Sequence, residues 1–501
     1  MVELLDHLAL GFSVVLTPET LLYCFLGVTL GTLVGVLPGV GPLATIAVLL
    51  PFTFNLPTIP ALIMLAGIYY GSQYGGSTTA ILLKVPGESS AVVACLDGHE
   101  MARQGRAGPA LGIAALGSFF AGTVATVVIA LFAPPLAAVA LEFGAPEFFS
   151  LMVLGLISAI VLAHGDMLKA VAMVILGLIA SLVGIDTNSG ETRFAFGSLQ
   201  LAEGLSFVIV ALGMFGFAEV IVNLERHETR EPFTDKVRNI LPSWNDIKQA
   251  WKAVVRGTVL GAFFGVLPGT GATISAFASY SLEKKIAKDP SRFGKGAIEG
   301  LAGPESANNS AAQTAFIPML TLGLPASATM AVMLGALTLQ GINPGPQVMT
   351  SNPDLFWGLI VSMWIGNLML VVLNLPMIGI WVRLLTVPYR YLYPAVLVFA
   401  CIGIYSVNNA TFDILVTVGF ALFGYLCAKL ECEAAPFLLA FILGTPMEEH
   451  FRRALLISHG DLTTFIRQPI SAGFLAASVV LLLFMIAPAF RKTREEVMIE
   501  D

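Results

Sequence analysis

A seven-residue motif occurs twice in this chain and interrupts a long apolar run each time. The first copy is Gly35–Gly41 (Gly-Val-Leu-Pro-Gly-Val-Gly), and the second is Gly265–Gly271 (Gly-Val-Leu-Pro-Gly-Thr-Gly). Proline lacks the amide hydrogen and clashes with the preceding helical turn, while glycine adopts conformations that other residues avoid. The motif therefore predicts a broken helix in each half of the chain. A pair of tight turns between helices, with no further role, is the alternative interpretation.

The composition is typical of a membrane protein. Of the 501 residues, 56% are hydrophobic and only 12% are charged, and the mean hydropathy is +0.84. A soluble domain carries roughly twice that share of charge, and apolar runs long enough to span a lipid bilayer recur along the chain. The net charge of −7 and the lack of a basic stripe argue against a nucleic-acid partner. Five scattered cysteines predict neither a disulfide framework nor a metal site, and no cofactor is expected.

Basic residues predict how the chain is divided. Seven Lys and Arg residues lie between positions 225 and 256, and short cytoplasmic loops of membrane proteins collect such residues. This stretch is therefore interpreted as a cytoplasmic amphipathic linker between two halves. The predicted divisions are a first transmembrane repeat (1–224), the linker (225–252), a second transmembrane repeat (253–490) and a charged C-terminal tail (491–501).

The charges that follow the two breaks predict how the repeats are related. The connector after the first break, Asn55–Thr58, is uncharged, whereas the one after the second contains Glu283-Lys284-Lys285 and further basic residues. Because the charge bias changes sides between the copies, the repeats are predicted to have inverted topology. The predicted fold is an all-α polytopic membrane protein of the secondary-transporter type. Its broken or re-entrant helices are expected to meet near the membrane midplane, and an elevator-like arrangement is one form of such a fold.

Each break is followed by a stretch rich in glycine, hydroxyl and amide side chains. Breaks at corresponding places of two half-chains are the best sequence indication of a transporter's binding site. A helix N-terminus presents free amides and a partial positive charge, so it can hold a carboxylate. The predicted substrate-binding residues are Pro38, Gly39, Gly41, Thr45, Tyr74, Gly75, Ser77, Lys84, Ser89, Ser90, Pro268, Gly269, Gly271, Thr273, Ser275, Gln313, Ser327 and Thr329.

Polar residues in the second half predict a site for a coupling ion. Side-chain oxygens of Asn308, Asn309 and Ser310, together with freed carbonyls, suit Na⁺. For any single Ser or Thr, close helix packing is the alternative. Lys84 is expected to neutralise a substrate carboxylate, to pair with Glu88, or to extend to the membrane interface. Asp97 is interpreted as part of a capped loop rather than of a proton relay, and no catalytic motif is present.

Eleven motifs, in order along the chain, resemble those of a known family. They are Gly35–Gly41, Tyr70–Gly76, Val85–Gly87, Leu96–Gly98, Gly184–Asp186, Arg193–Gly197, Pro304–Asn309, Leu322–Pro325, Gly341–Pro346, Glu448–Arg453 and Arg467–Ile470. The family that they resemble is the large membrane subunit of the tripartite tricarboxylate transporters, and the resemblance covers essentially the whole chain. The chain departs from the family pattern at Ala326, where glycine is usual, and at Lys84, where a small polar residue is commoner.

The resemblance implies a multi-pass permease of the bacterial cytoplasmic (inner) membrane. It implies secondary active symport of citrate or another tricarboxylate or dicarboxylate, driven by a Na⁺ or H⁺ gradient and not by ATP. The implied partners are a small integral-membrane subunit and a periplasmic substrate-binding protein, and a homodimer of the permease is one option for its own assembly. From the residues alone, an intramembrane enzyme acting on a lipid-linked substrate and a passive organic-anion channel stay open as alternatives.

Overall fold

Helices make up almost all of the regular structure. The structure is a computed structural model and describes residues 2–37, 41–163, 166–186, 189–225, 240–267, 271–384, 394, 397–398, 400–405 and 410–486. The chain is therefore an α-helical membrane protein, as its composition predicts. In this part of the chain, five helical segments are long and apolar enough to cross a membrane: Pro18–Val36, Ser89–Ala140, Phe207–Glu225, Pro353–Asn374 and Thr411–Lys429.

The helices are numbered in chain order within the described residues. Those before the predicted linker are α1 (Val2–Val15), α2 (Pro18–Val36), α3 (Pro42–Thr53), α4 (Thr58–Leu83), α5 (Ala94–Met101), α6 (Ala107–Ala140), α7 (Ala145–Leu162), α8 (Met167–Ser181), α9 (Leu199–Ala202), α10 (Phe207–Ala211) and α11 (Ala218–Glu225). Those that follow are α12 (Trp244–Val266), α13 (Gly271–Ile286), α14 (Ile298–Thr314), α15 (Phe316–Leu322), α16 (Ala328–Leu339), α17 (Val348–Ser351), α18 (Pro353–Asn374), α19 (Ile378–Leu384), α20 (Thr411–Lys429), α21 (Ala435–Ile457), α22 (Thr464–Arg467) and α23 (Pro469–Ile486). Short 3₁₀ turns lie at Ser89–Val93 and Pro290–Arg292, and π-helical turns lie at Ala102–Arg106 and Leu212–Phe217.

The chain forms two compact units, and each combines an early and a late segment. The first unit comprises residues 1–138 and 211–425, and the second comprises residues 139–210 and 426–501. These spatial units cut across the division into two sequence repeats, which stays a prediction.

Both predicted helix breaks are present. In the first half α2 ends at Val36 and α3 begins at Pro42, and in the second half α12 ends at Val266 and α13 begins at Gly271. Gly41 has φ +61° and ψ 157°, a region that essentially only glycine occupies. Gly271 also has a positive φ, +56°. Four predicted site residues lie outside the described residues: Pro38, Gly39, Pro268 and Gly269.

Each half of the chain has a second helix interruption, and the two interruptions have matching backbone conformations. Helix α4 is followed by its C-cap residue Lys84, which has φ 57° and ψ 27°, and α15 is followed by its C-cap residue Gly323, which has φ 69° and ψ 23°. Both residues have the left-handed backbone conformation, which favours glycine. Four positions later, the backbone is extended at Glu88 (φ −150°, ψ 165°) and at Ser327 (φ −155°, ψ 169°), and a new helical turn begins. Each half therefore contains a helix break, a further helical segment and a loop, in that order.

Glycines on α2 and α12 allow unusually close helix contacts. A Cβ added to Gly31 would lie 2.5 Å from the carbonyl oxygen of Ile68 on α4. At the corresponding place in the second half, a Cβ on Gly261 would collide with the carbonyl oxygen of Ala307 on α14. Small residues permit such approach of two backbones in membrane helices. This packing holds α4 and α14, which contain most of the polar residues described below, inside the first unit.

The second unit contains a feature that the sequence did not predict, a two-stranded hairpin. Strand β1 (Gly184–Ile185) pairs antiparallel with β2 (Thr192–Arg193). Arg193 donates to both carboxylate oxygens of Glu448 at 3.0 and 3.1 Å. Arg452 contacts Glu448 at 2.6 Å and Asp186 at 3.2 Å. These carboxylates raise the pKa of the Arg193 guanidinium, which keeps the network charged. The network therefore fixes the hairpin against helix α21.

Candidate functional site

The second break brings together predicted substrate residues from both halves of the chain. The hydroxyls of Ser89 and Thr273 lie 3.1 Å apart. A Cβ on Gly271 would be 3.7 Å from the Cβ of Ser327, and the Ser327 hydroxyl lies near that of Tyr69. Ser327 also caps α16, because its hydroxyl accepts the amide hydrogen of Met330 at 3.3 Å. The first turn of α13 therefore faces hydroxyl groups from two loops, an arrangement suited to an anion.

The first break has a different neighbour, a carboxyl group of the chain itself. A Cβ on Gly41 would lie 3.9 Å from Oε1 of Glu219 on α11. Because an ionised Glu219 would repel a second carboxylate, the two breaks are not equivalent as anion sites. Thr45 and Ser275 do correspond: each hydroxyl donates back to its own break, to the carbonyl oxygen of Gly41 or Gly271, at 2.9 Å. This i−4 bonding is common for Ser and Thr in helices.

Glu88 is the centre of a polar cluster. It is not among the site residues predicted from the sequence. Its carboxylate accepts the Nε2 hydrogen of Gln73 at 2.8 Å and the hydroxyl of Ser72 at 3.4 Å. The hydroxyl of Ser90 also bonds to it, and to Oε1 of Gln73 at 2.9 Å. The predicted residue Ser90 thus acts within this cluster and is 3% exposed.

A second carboxyl, that of Glu305 on α14, lies deep in the first unit. Glu305 is 1% exposed and accepts a hydrogen bond from the hydroxyl of Ser77 on α4. One turn further along α14, Asn309 donates to the Glu305 carbonyl oxygen at 3.0 Å and to the hydroxyl of Ser118 at 2.7 Å. A small cavity adjoins this group and is lined by Tyr74, Ser77, Thr78, Leu111, Ala114, Ala115, Ser118 and Asn374.

The side chain of Asn308 is buried without satisfying its hydrogen-bonding groups. It is fully buried, and neither its Oδ1 nor its Nδ2 has a hydrogen-bond partner within the described residues. It lies beside Glu88 and one helical turn from Glu305. The Oδ1 atom of Asn309 is likewise buried without a donor. An unsatisfied buried polar group costs roughly 1–3 kcal/mol, so these oxygens are free to ligate a small ion.

The remaining predicted residues pack helices or face outward. Gly75 contacts the backbone of α2, where its added Cβ would lie 2.9 Å from the Cα of Gly35. Ser310 donates to the Thr258 carbonyl oxygen at 2.8 Å, which is a packing contact. Three others are buried: Tyr74, bonded to Asn367 at 3.3 Å, Gln313, bonded to Thr126 at 2.6 Å, and Thr329, which is 9% exposed. Lys84 is exposed at the end of α4.

Asp97 connects the two halves of the chain. Its Oδ1 atom accepts the amide hydrogens of Gly296 at 2.8 Å and Ala297 at 2.7 Å, immediately before α14. The side chain is fully buried. A carboxylate at a helix N-terminus satisfies free amides and complements the helix dipole. Asp97 therefore binds the two residues that lead into α14, and this is its capping role in the structure.

We expect Asp97→Ala to destabilise the first unit by roughly 1–3 kcal/mol, the cost of charged hydrogen bonds lost in the interior. Thermal unfolding of the purified protein measures this effect. Asp289→Ala is the matched control, because Asp289 also caps a turn, through the Ser291 amide at 3.1 Å, but at the surface. Equal melting temperatures for the two variants would contradict the capping role of Asp97.

Comparisons with known proteins agree with the motifs. Residues 21–439 match the model of the family described as "Tripartite tricarboxylate transporter TctA family". An uncharacterized 52.8 kDa protein in the TAR-I ttuC' 3' region of Agrobacterium vitis is 55% identical over 100% of both chains. An uncharacterized protein in the TAR-II ttuC' 3' region of the same species is 55% identical over 48% of this chain and 100% of its own. A protein of Methanocaldococcus jannaschii is 27% identical over 54% of this chain and 63% of its own. No solved structure matches the chain.

Proposed function

Because the chain belongs to the tripartite tricarboxylate transporter TctA family, we propose that it is the permease subunit of a secondary active transporter. It imports a tricarboxylate or dicarboxylate, and a Na⁺ or H⁺ gradient drives the uptake. The observation that carries this proposal is the cluster at the second break. There the first turn of α13, which contains Thr273, lies against Ser89 from the first half of the chain and Ser327 from the second.

The chemistry of this cluster supports a carboxylate ligand. Helix α13 has 16 residues, so the partial positive charge at its N-terminus is fully developed. The amides after Gly271 and the hydroxyls of Ser89 and Thr273 are donors of the kind that hold anions without a buried arginine. Lys84, exposed on the same loop as Ser89, adds a positive charge that attracts an anion to this region.

The coupling ion is assigned to the polar interior of α14. Asn308 and Asn309 contribute the buried oxygens that lack donors, which suits a hard cation. Ser310 was predicted with them, but its hydroxyl bond to Thr258 leaves it a supporting role.

The wider architecture follows from the same proposal. The two sequence repeats have inverted topology, the stretch 225–252 is a cytoplasmic linker, and alternating access follows, in an elevator-like form or by rocking of the repeats. A periplasmic binding protein delivers the substrate, and a small integral-membrane subunit completes the complex in the bacterial inner membrane. A homodimer of the permease is compatible with this arrangement.

Uptake of radiolabelled citrate and succinate into proteoliposomes tests the proposal. The vesicles contain the permease with its small subunit, the binding protein is added outside, and a Na⁺ or a pH gradient is imposed separately. We expect accumulation above the external concentration with one gradient, and loss of accumulation when an ionophore dissipates it. Uptake that only equilibrates the substrate under every gradient would instead indicate a channel, and full uptake without the binding protein would refute the tripartite mechanism.

A further inference from the structure

Two carboxyl groups in the first unit, those of Glu88 and Glu305, have no role in the function proposed so far. We propose that each of them binds one small monovalent cation, Na⁺ or H⁺, and that both must be loaded before the anionic substrate binds. The inference rests on the proposed function, because it names the groups that carry the driving ions. Glu88 follows the interruption after α4, and Glu305 lies within α14, so each half of the chain contributes one.

Within the described residues, neither carboxyl group is paired directly with a positive charge. Glu305 is 1% exposed and Glu88 is half-buried, and neither forms an ion pair with Lys, Arg or His in the part of the chain that the structure describes. Burying an ionised carboxylate without a partner is expensive, so such groups either bind a proton or coordinate a cation. Loading with one cation makes each of these groups neutral.

The nearby polar atoms fit a group that gains and loses a small cation. Ser72, Gln73 and Ser90 bond to Glu88, and Ser77 bonds to Glu305; hydroxyls can either donate to a carboxylate or offer oxygen to a cation. The independent observation is Asn308, whose side chain is fully buried next to the Glu88 carboxyl and forms no hydrogen bond of good geometry within the described part of the chain. Its Oδ1 atom can accept a hydrogen bond or coordinate a cation.

A small cavity adjoins the Glu305 cluster in the first unit. It is lined by Ser77 and Ser118, the two side chains that bond to Glu305 and to Asn309. Its volume of about 10 Å³ is at the lower limit for one water molecule, so it has room for a proton carried by water or for a bare Na⁺, and not for a hydrated ion. Glu88 directly precedes Ser89, a residue of the proposed substrate cluster.

Electrostatics then gives the order of binding. Glu88 and Glu305 are close enough for the charge of one to act on the other, and two ionised carboxylates would also repel a substrate carboxylate at Ser89 and Thr273. Neutralising both removes that repulsion. Substrate affinity should therefore rise with cation concentration, and one transport cycle should carry two cations with each substrate.

Cation counting on the purified full-length protein tests the inference without any substrate. In one arm, equilibrium binding of ²²Na⁺ is measured; in the other, the protons released between about pH 6 and about pH 9 are counted by potentiometric titration, a range above that in which exposed carboxyls titrate. In the ²²Na⁺ arm we expect two ions in the wild type. In the arm that identifies the ion, we expect one cation fewer than the wild type in Glu88→Gln and in Glu305→Gln, and two fewer in the double variant. The arm in which these losses occur identifies the ion.

Controls separate this result from unfolding and from a failure of the proposed function. Glu142→Gln alters an exposed carboxyl of the second unit and should leave the ²²Na⁺ count unchanged. Glu88→Asp and Glu305→Asp keep the carboxyl and should keep the count, even where a Gln variant folds poorly. Wild-type counts in folded Glu88→Gln and Glu305→Gln, in both arms, would overturn the inference. If the counts change as expected but citrate and succinate are not accumulated, the proposed function fails and the cation sites stand.

Discussion

Gly271→Val is expected to abolish binding of citrate to the purified protein. Gly271 begins α13 with φ +56° and has only Ser327 and Ala326 near the position of an added Cβ. A valine side chain would occupy the space in front of the first amides of the helix. A hydrogen bond from an amide to a carboxylate contributes about 1.5–3 kcal/mol, so each lost bond lowers the affinity roughly ten- to hundredfold. Calorimetric titration with citrate measures the loss.

Gly105→Val is the matched control for backbone strain. Gly105 has φ +76°, and no atom of the described residues lies within 4 Å of an added Cβ. Its position between α5 and α6 is remote from the second break in sequence. A left-handed conformation costs about 1–2 kcal/mol for a non-glycine residue, so both variants should lose similar melting temperature. Only Gly271→Val should lose citrate binding. Normal binding in folded Gly271→Val would mean that the second break is a hinge and that the substrate binds elsewhere.

Gly31→Leu is expected to prevent formation of the first unit. An added Cβ at Gly31 would lie 2.5 Å from the carbonyl oxygen of Ile68 and 2.9 Å from that of Gly67. Because these are backbone atoms, no side-chain rotation relieves the contact, and α2 would have to move away from α4. Overpacking by single methylene groups costs about 1–3 kcal/mol, and a whole leucine side chain should cost more than about 4 kcal/mol. The yield of monodisperse protein after gel filtration measures the effect.

The same substitution at Gly419 is the control. Gly419 is an exposed residue of α20, and an added Cβ there would meet nothing within 4 Å. Leucine is a better helix former than glycine by about 1 kcal/mol, so Gly419→Leu should fold in full yield. Equal yields for the two variants would show that the close approach of α2 and α4 is dispensable.

The helix breaks were predictable because their cause is local. Proline and glycine interrupt a helix whatever surrounds them, and α3 and α13 begin where the motifs indicate. The meeting of Ser89 with Thr273 was predicted only in general terms, since it depends on how two distant segments pack. The hydroxyls of Thr45 and Ser275 donate to the Gly41 and Gly271 carbonyls, and their predicted contact with substrate stays a prediction.

The carboxyl pair was missed for a different reason. Glu305 stands in a run of small polar residues, Pro304–Asn309, whose composition is also that of a solvent-facing helix. Only the packing of α14 shows that its carboxyl is buried. A rule that treats every ionisable residue inside a membrane protein as functional would have selected Glu88 and Glu305. The hairpin of β1 and β2 could not be predicted from the sequence, because strands of two residues are too short to show a pattern.

The second unit is built from two segments that are far apart in the chain, and this affects its assembly during synthesis. Its early part, residues 139–210, leaves the ribosome well before its late part, which begins at 426, and chains emerge from the N-terminus. Until then, Asp186 and Arg193 lack Glu448 and Arg452, their later partners in the ion network. During synthesis the early part of the second unit is therefore incomplete while residues 211–425 of the first unit are made. A truncation before residue 426 would leave the second unit without its late part.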